Sequence, residues 1–153
     1  MREFVFIPVG SHELAAISGE LQLTDRAAYR VTAELLAMLE YTLDELEDAE
    51  YAAMVLASVA ALARFGQRLV LVADVPASLV SPGSDVDNGE CRVSGVPQTS
   101  IVAYYREAPE VDSAAAAQAA SGRTIDDAWD APEVQELLAE DLLWNDVTEY
   151  KGA

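Results

Sequence analysis

Residues 42–76, TLDELEDAEYAAMVLASVAALARFGQRLVLVADVP, decide how this chain folds. Thr42 followed three places later by Glu45 is a capping box, a hydroxyl for the new helix and a carboxylate reaching back to the cap, so a helix is predicted from Leu43. Its first turns carry Asp44, Glu45, Glu47 and Asp48, where the positive end of the helix dipole favours acids, and Arg64 stands in its last turn, where cations are favoured. Gly66 is a natural left-handed stop. Between Tyr51 and Ala63 only Ser58 is polar, and a helix apolar on every face is one buried on more than one side. The run is too short for a membrane span. Two residues after Gly66 the period changes. LVLVA at residues 69–73 is a continuous aliphatic run ending in Asp74, Val75 and Pro76, the pattern of an interior strand. A buried helix that feeds an inner strand predicts a layered α/β unit.

Working outward, residues 3–8 (EFVFIP) read as a first strand inside the sheet, and residues 12–18 as two helical turns capped by Ser11 and ended by Gly19. Residues 28–32 (AYRVT) read as a short strand, and Thr32 caps a helix from Ala33 to about Tyr41. Strand, two helices and strand in succession make a crossover-like unit. Residues 81–90 (SPGSDVDNGE) are a turn-rich loop, followed by extended segments at residues 91–94 and 99–106. Pro109 can open a helix, and SAAAAQAAS is a surface helix in this reading, with little apolar payload beyond methyl groups. Thr124 with Asp127, and Asp130 with Glu133, mark two more helix starts, with Val134, Leu137 and Leu138 facing inward. In the tail, residues 141–150 favour a last strand over a helical continuation, and Trp144 is expected to pack in the core beside Leu142 and Leu143. The expectation is one mixed α/β domain spanning residues 1–153, a mixed sheet packed by a long central helix.

Composition excludes several classes of function. With 27 acidic and 9 basic residues the formal charge is −18, and no basic patch gathers the arginines, so neither nucleic acid nor an anionic membrane is an expected partner. The 52% of hydrophobic residues suffice for a sizeable core. One cysteine, Cys91, excludes an internal disulfide framework, and with no signal-peptide pattern at the start a cytoplasmic location is expected.

FVFIP, EYAAMVLASVAAL followed by RLVLVADVP, RVSGVP before a strand, and LLW near the end resemble a family of small acidic proteins from high-GC Gram-positive bacteria, a family of unknown function. The resemblance implies a cytoplasmic domain and brings no catalytic residues. The chain departs from it at Asn145, where an aromatic would follow the Trp. The order of elements also resembles the layout of ADP-ribosyltransferase-type folds. That layout would put a catalytic His or Arg on the first strand, where this chain has Phe4, Phe6 and Ile7.

The residues that can carry chemistry are few. Asp74 closes an interior strand, where open α/β sheets place ligands; the plainer reading is an Asx-type turn before Pro76. With Tyr29 and Glu50 it makes the candidate ligand site, and polar groups converging on those three would favour an enzyme. His12, the one imidazole, is either an acid–base group or an ordinary first-turn residue. Glu40, Asp44, Glu45, Glu47, Asp48 and Glu50 could hold a hard cation, yet a helix start already rewards acids. Residues 85–90 misplace the glycine of an EF-hand loop and read as a turn. Cys91 is a nucleophile only if the fold supplies a base, and otherwise a small buried hydrophobe. There is no GxSxG, GxGxxG or phosphate loop. No metal and no cofactor are therefore expected. The functional expectation is a non-catalytic binding or regulatory module with a protein partner, and the alternative an enzyme or degenerate enzyme with the ADP-ribosyltransferase-like layout.

Overall fold

A computed structural model describes residues 1–150. Seven strands, β1 (Arg2–Pro8), β2 (Leu23–Tyr29), β3 (Leu69–Pro76), β4 (Val80–Pro82), β5 (Glu90–Val96), β6 (Ile101–Arg106) and β7 (Leu143–Asp146), form one sheet in the order β4-β5-β2-β1-β3-β6-β7. Every neighbouring pair is antiparallel, so the mixed α/β class holds while the parallel pairing of a mixed sheet does not occur among the described residues. β2 and β3 both flank β1, and the chain between them crosses over β1 through helices α1 (Ala33–Leu39) and α2 (Leu46–Phe65).

The central helix forms for the reasons its sequence gives. Thr42 N–H donates to Glu45 Oε1 at 3.1 Å, and a 3-10 turn over Leu43–Glu45 precedes the α-helix, which begins three residues later than the capping box alone implies. Gly66, at φ +84°, ends it in the left-handed conformation and donates to Leu62 O. Residues 56–62 of α2 are buried without interruption. Helices α3 (Ala114–Ala120), α4 (Ile125–Trp129) and α5 (Pro132–Leu138) complete this layer, with Ala116, Ala120, Val134 and Leu137 buried. The Ala-rich helix is therefore a packing helix. Its methyl groups admit close approach, and it starts at Ala114, since residues after Pro109 form a turn.

Strand alternation divides the apolar side chains between two cores. Phe6, Tyr29, Val70, Val72 and Ala103 face the helices. Val5, Ile7, Leu71, Ala73, Val75 and Val93 face the other side, closed by Leu14, Ala16 and Ile17 of a 3-10 segment (Ser11–Ser18), by Leu79, and by Val147 and Tyr150 near the chain's end. That segment is capped by Glu13, whose carboxylate accepts from Gly10 N–H, rather than by Ser11.

Two expectations are corrected. The strand expected at residues 28–32 lies earlier, at Leu23–Tyr29, because Arg30 and Val31 already turn away towards the Thr32 cap, which accepts from Leu35 N–H. The expected tail strand exists as β7, but Trp144 is 56% exposed and Leu143 40% exposed. Only Leu142 of that group reaches the core. β7 is the edge strand of the sheet, and Trp144 stands on its helix side across an open cleft from α2 rather than in contact with a covering element.

Candidate functional site: an aromatic cleft rimmed by acids

On α2, Glu47, Glu50, Tyr51 and Met54 follow the i, i+3, i+4, i+7 spacing and so share one face. Opposite them the sheet presents Phe4 and Phe6 of β1, Val72 of β3, Ala103 and Tyr105 of β6, and Trp144 and Asp146 of β7, enclosing an open cleft of about 560 Å³. The register explains the convergence. Tyr105 pairs with Trp144 and Ala103 with Asp146, so all four side chains stand on the helix side. Between Val72 and Ala73 the β3–β6 ladder slips, Ala103 and Ile101 pairing with those two and leaving Val102 between them. This β-bulge adds Val102 to the cleft wall.

Five aromatic residues therefore line one cleft, of the 3 Phe, 2 Trp and 6 Tyr in the chain. Three carboxylates, Glu47, Glu50 and Asp146, join them, and among the described residues no arginine or lysine does. Asp146 is held below the usual carboxylate range by Thr148, whose backbone N–H and hydroxyl both donate to Oδ1. Burial pushes the Tyr105 phenol up, with nearby Tyr51 adding to it, so that ring stays neutral. Aromatic faces beside ionised carboxylates attract an organic cation, through the ring quadrupole and through charge-assisted hydrogen bonds.

Tyr51 is also a wall of a second depression, an apolar groove of about 450 Å³ between Met38 and Leu39 of α1, Val55 and Leu56 of α2, and Ile125 and Trp129 of α4. A third, polar cleft of about 540 Å³ holds Tyr29, Arg64, Arg123 and Thr124 beside Asp85, Glu90 and Asp126. Burial raises the Tyr29 phenol to about 12, against a partial offset from Arg64.

The three residues of the sequence-based site do not line a common cavity. Glu50 is in the aromatic cleft and Tyr29 in the polar one. Asp74 pairs with Phe4 inside β3, so it forms no turn, and its Oδ1 lies 3.4 Å from Arg2 Nε. His12 is exposed on the first 3-10 segment. Cys91 is fully buried, and burial pushes its thiol up to about 12, which leaves it a packing residue. Residues 85–90 form a turn pinned by Asn88, whose Nδ2 donates to Asp85 Oδ2 at 2.7 Å and to Asp126 Oδ1 at 3.1 Å. Among the described residues no group of three His, Cys, Asp or Glu side chains is disposed to hold a metal ion, and no helix is long and apolar enough to cross a membrane.

Sequence reasoning missed Phe4, Phe6, Tyr51, Tyr105, Trp144 and Asp146. The signal available was the i, i+2 repeat of Phe4 with Phe6 and of Trp144 with Asp146, which assigns each pair to one face of its strand.

The fold and the cleft define a small α/β domain, one antiparallel sheet with a helical layer on one face, that carries a concave aromatic and acidic surface. The chain belongs to the Family of unknown function (DUF6912), which it matches over residues 1–152. No curated protein and no solved structure matches it.

Proposed function

We propose that this domain is a non-catalytic protein-binding or regulatory module, acting in the cytoplasm, whose partner presents a basic side chain to the aromatic cleft. One observation carries the reading: five aromatic rings and three carboxylates line a single open cavity with no cation of the described chain among them. Rings left exposed, as Tyr51 and Trp144 are, cost solvation that a binding partner recovers. A guanidinium or ammonium suits both sets of groups, being attracted to ring faces and to carboxylates alike. The overall charge of −18 adds long-range attraction for a basic partner and repels nucleic acid.

Titration with a short acetylated Gly-Ser peptide carrying one central Arg, followed by amide NMR, tests this. The Arg peptide is expected to shift the resonances of Tyr51, Tyr105 and Trp144 and to bind more weakly as salt rises, since exposed charges are screened. A Gln-for-Arg peptide should not bind. Equal shifts from both peptides, or an unchanged titration of Trp144→Ala, would refute the assignment.

A further inference from the structure

We infer that the partner segment straddles Tyr51, placing its basic side chain in the aromatic cleft and a large apolar side chain in the groove beyond. The inference rests on the reading above and specifies the partner's sequence. Tyr51 is the common wall of the two cavities, exposed at 56%, so none of the described residues covers the ridge that divides them. The two cavities differ sharply in chemistry. The cleft carries Glu47, Glu50 and Asp146. The groove is walled by Met38, Leu39, Val55, Leu56 and Trp129, with only Asn88 and Asp126 polar at its margin.

A single side chain as divider sets a short distance between the two occupants. In an extended segment, side chains two residues apart emerge on the same side about 6.6 Å apart. A basic residue and a leucine-sized residue at that separation fill both cavities at once, and binding energy then combines a charged contact with burial of apolar area. A second copy of this chain is a poor occupant, because two bodies of charge −18 repel. Charge complementarity selects a basic partner. The groove then fixes where its apolar residue stands.

Three acetylated Gly-Ser peptides decide the matter by NMR titration: one with Arg alone, one with Arg and a Leu two residues on, and one with that Leu alone. The Arg–Leu peptide is expected to bind about tenfold more tightly than Arg alone, the gain from burying a leucine side chain in part. Met38→Ser shortens an exposed groove residue that does not line the cleft and adds no charge, so it should erase the leucine gain and leave the Arg peptide's affinity unchanged. If leucine adds nothing, or if its gain survives in Met38→Ser, the straddling mode is wrong while the cleft's cation preference stands. If the Arg peptide itself fails to bind, the reading of the cleft falls and this inference falls with it.

Discussion

The two ends of α2 differ in composition, the first half carrying Glu47, Asp48 and Glu50 and the second no acid, and they live in different surroundings. Over its second half Leu56, Val59 and Leu62 are buried between the sheet and the helices α3 and α4. Over its first half Leu46 and Tyr51 are exposed, and Glu47 with Glu50 overlooks the aromatic cleft. One end is sealed by α3 and α4, while at the other Ala49, Ala53 and Met54 are buried and the face bearing Glu47, Glu50 and Tyr51 is left open by the described residues. The contrast shows that an apolar helix surface becomes core only where another element reaches it, and becomes a binding wall where none does.

The sealed end should carry the stability. Leu62→Ala removes one of the largest fully buried side chains and is expected to cost about 2 to 5 kcal/mol in a urea melt. A midpoint equal to the parent's would erase the distinction between the ends. Ala57, also fully buried, tests the same end from the opposite direction, since Ala57→Leu should overpack it at a cost of about 1 to 3 kcal/mol.

A pH titration sharpens the comparison at the helix's last residue. Arg26 lies 5.8 Å from the Phe65 ring and forms an ion pair with Glu13, so the sealed end of α2 is tied to the first 3-10 segment. Burial acts to raise the Glu13 carboxyl, but the hydrogen bond from Arg26, the Gly10 N–H and the charges of Arg26 and His12 outweigh it and hold the group below its ordinary value of 4.5. A depressed folded pKa contributes stability above the unfolded value and loses it as pH falls through the folded one. Thermal stability should therefore decline from near pH 4.5 downward, and Glu13→Gln, less stable at neutral pH, should show a shallower decline. Identical acid limbs for the two proteins would remove Glu13 from the account.

The smallest change in stability is expected at the open end. Trp144→Ala should melt within about 0.5 kcal/mol of the parent, as surface substitutions do, while losing affinity for the Arg peptide. A loss of several kcal/mol would return Trp144 to the core.

Much of the fold was legible because its signals are local. The Thr42–Glu45 box, the apolar run to Ala63, Gly66 and the LVLVA strand each depend on neighbours within a few residues, and each formed where those neighbours put it, to within a turn. Signals that depend on distant partners misled. Trp144 looks like a core residue by size and is exposed, and the Ala-rich helix looks like a surface one by lack of payload yet buries one edge through Ala116 and Ala120. Glu50 was named for its charge and does line the cleft, whereas Asp74 was named by a rule for parallel sheets that an antiparallel sheet does not obey.

The sequence by itself determined the central helix, the strand after it, the class of the fold and the acidic character of its surface, since backbone periodicity, capping and charge are properties of the chain. Only the tertiary structure decided that Phe4, Tyr51, Tyr105 and Trp144, from four elements far apart in the sequence, meet in one cleft. Alternation along a strand tells which face a side chain takes. What lies over that face is settled by strand order and by where the helices end.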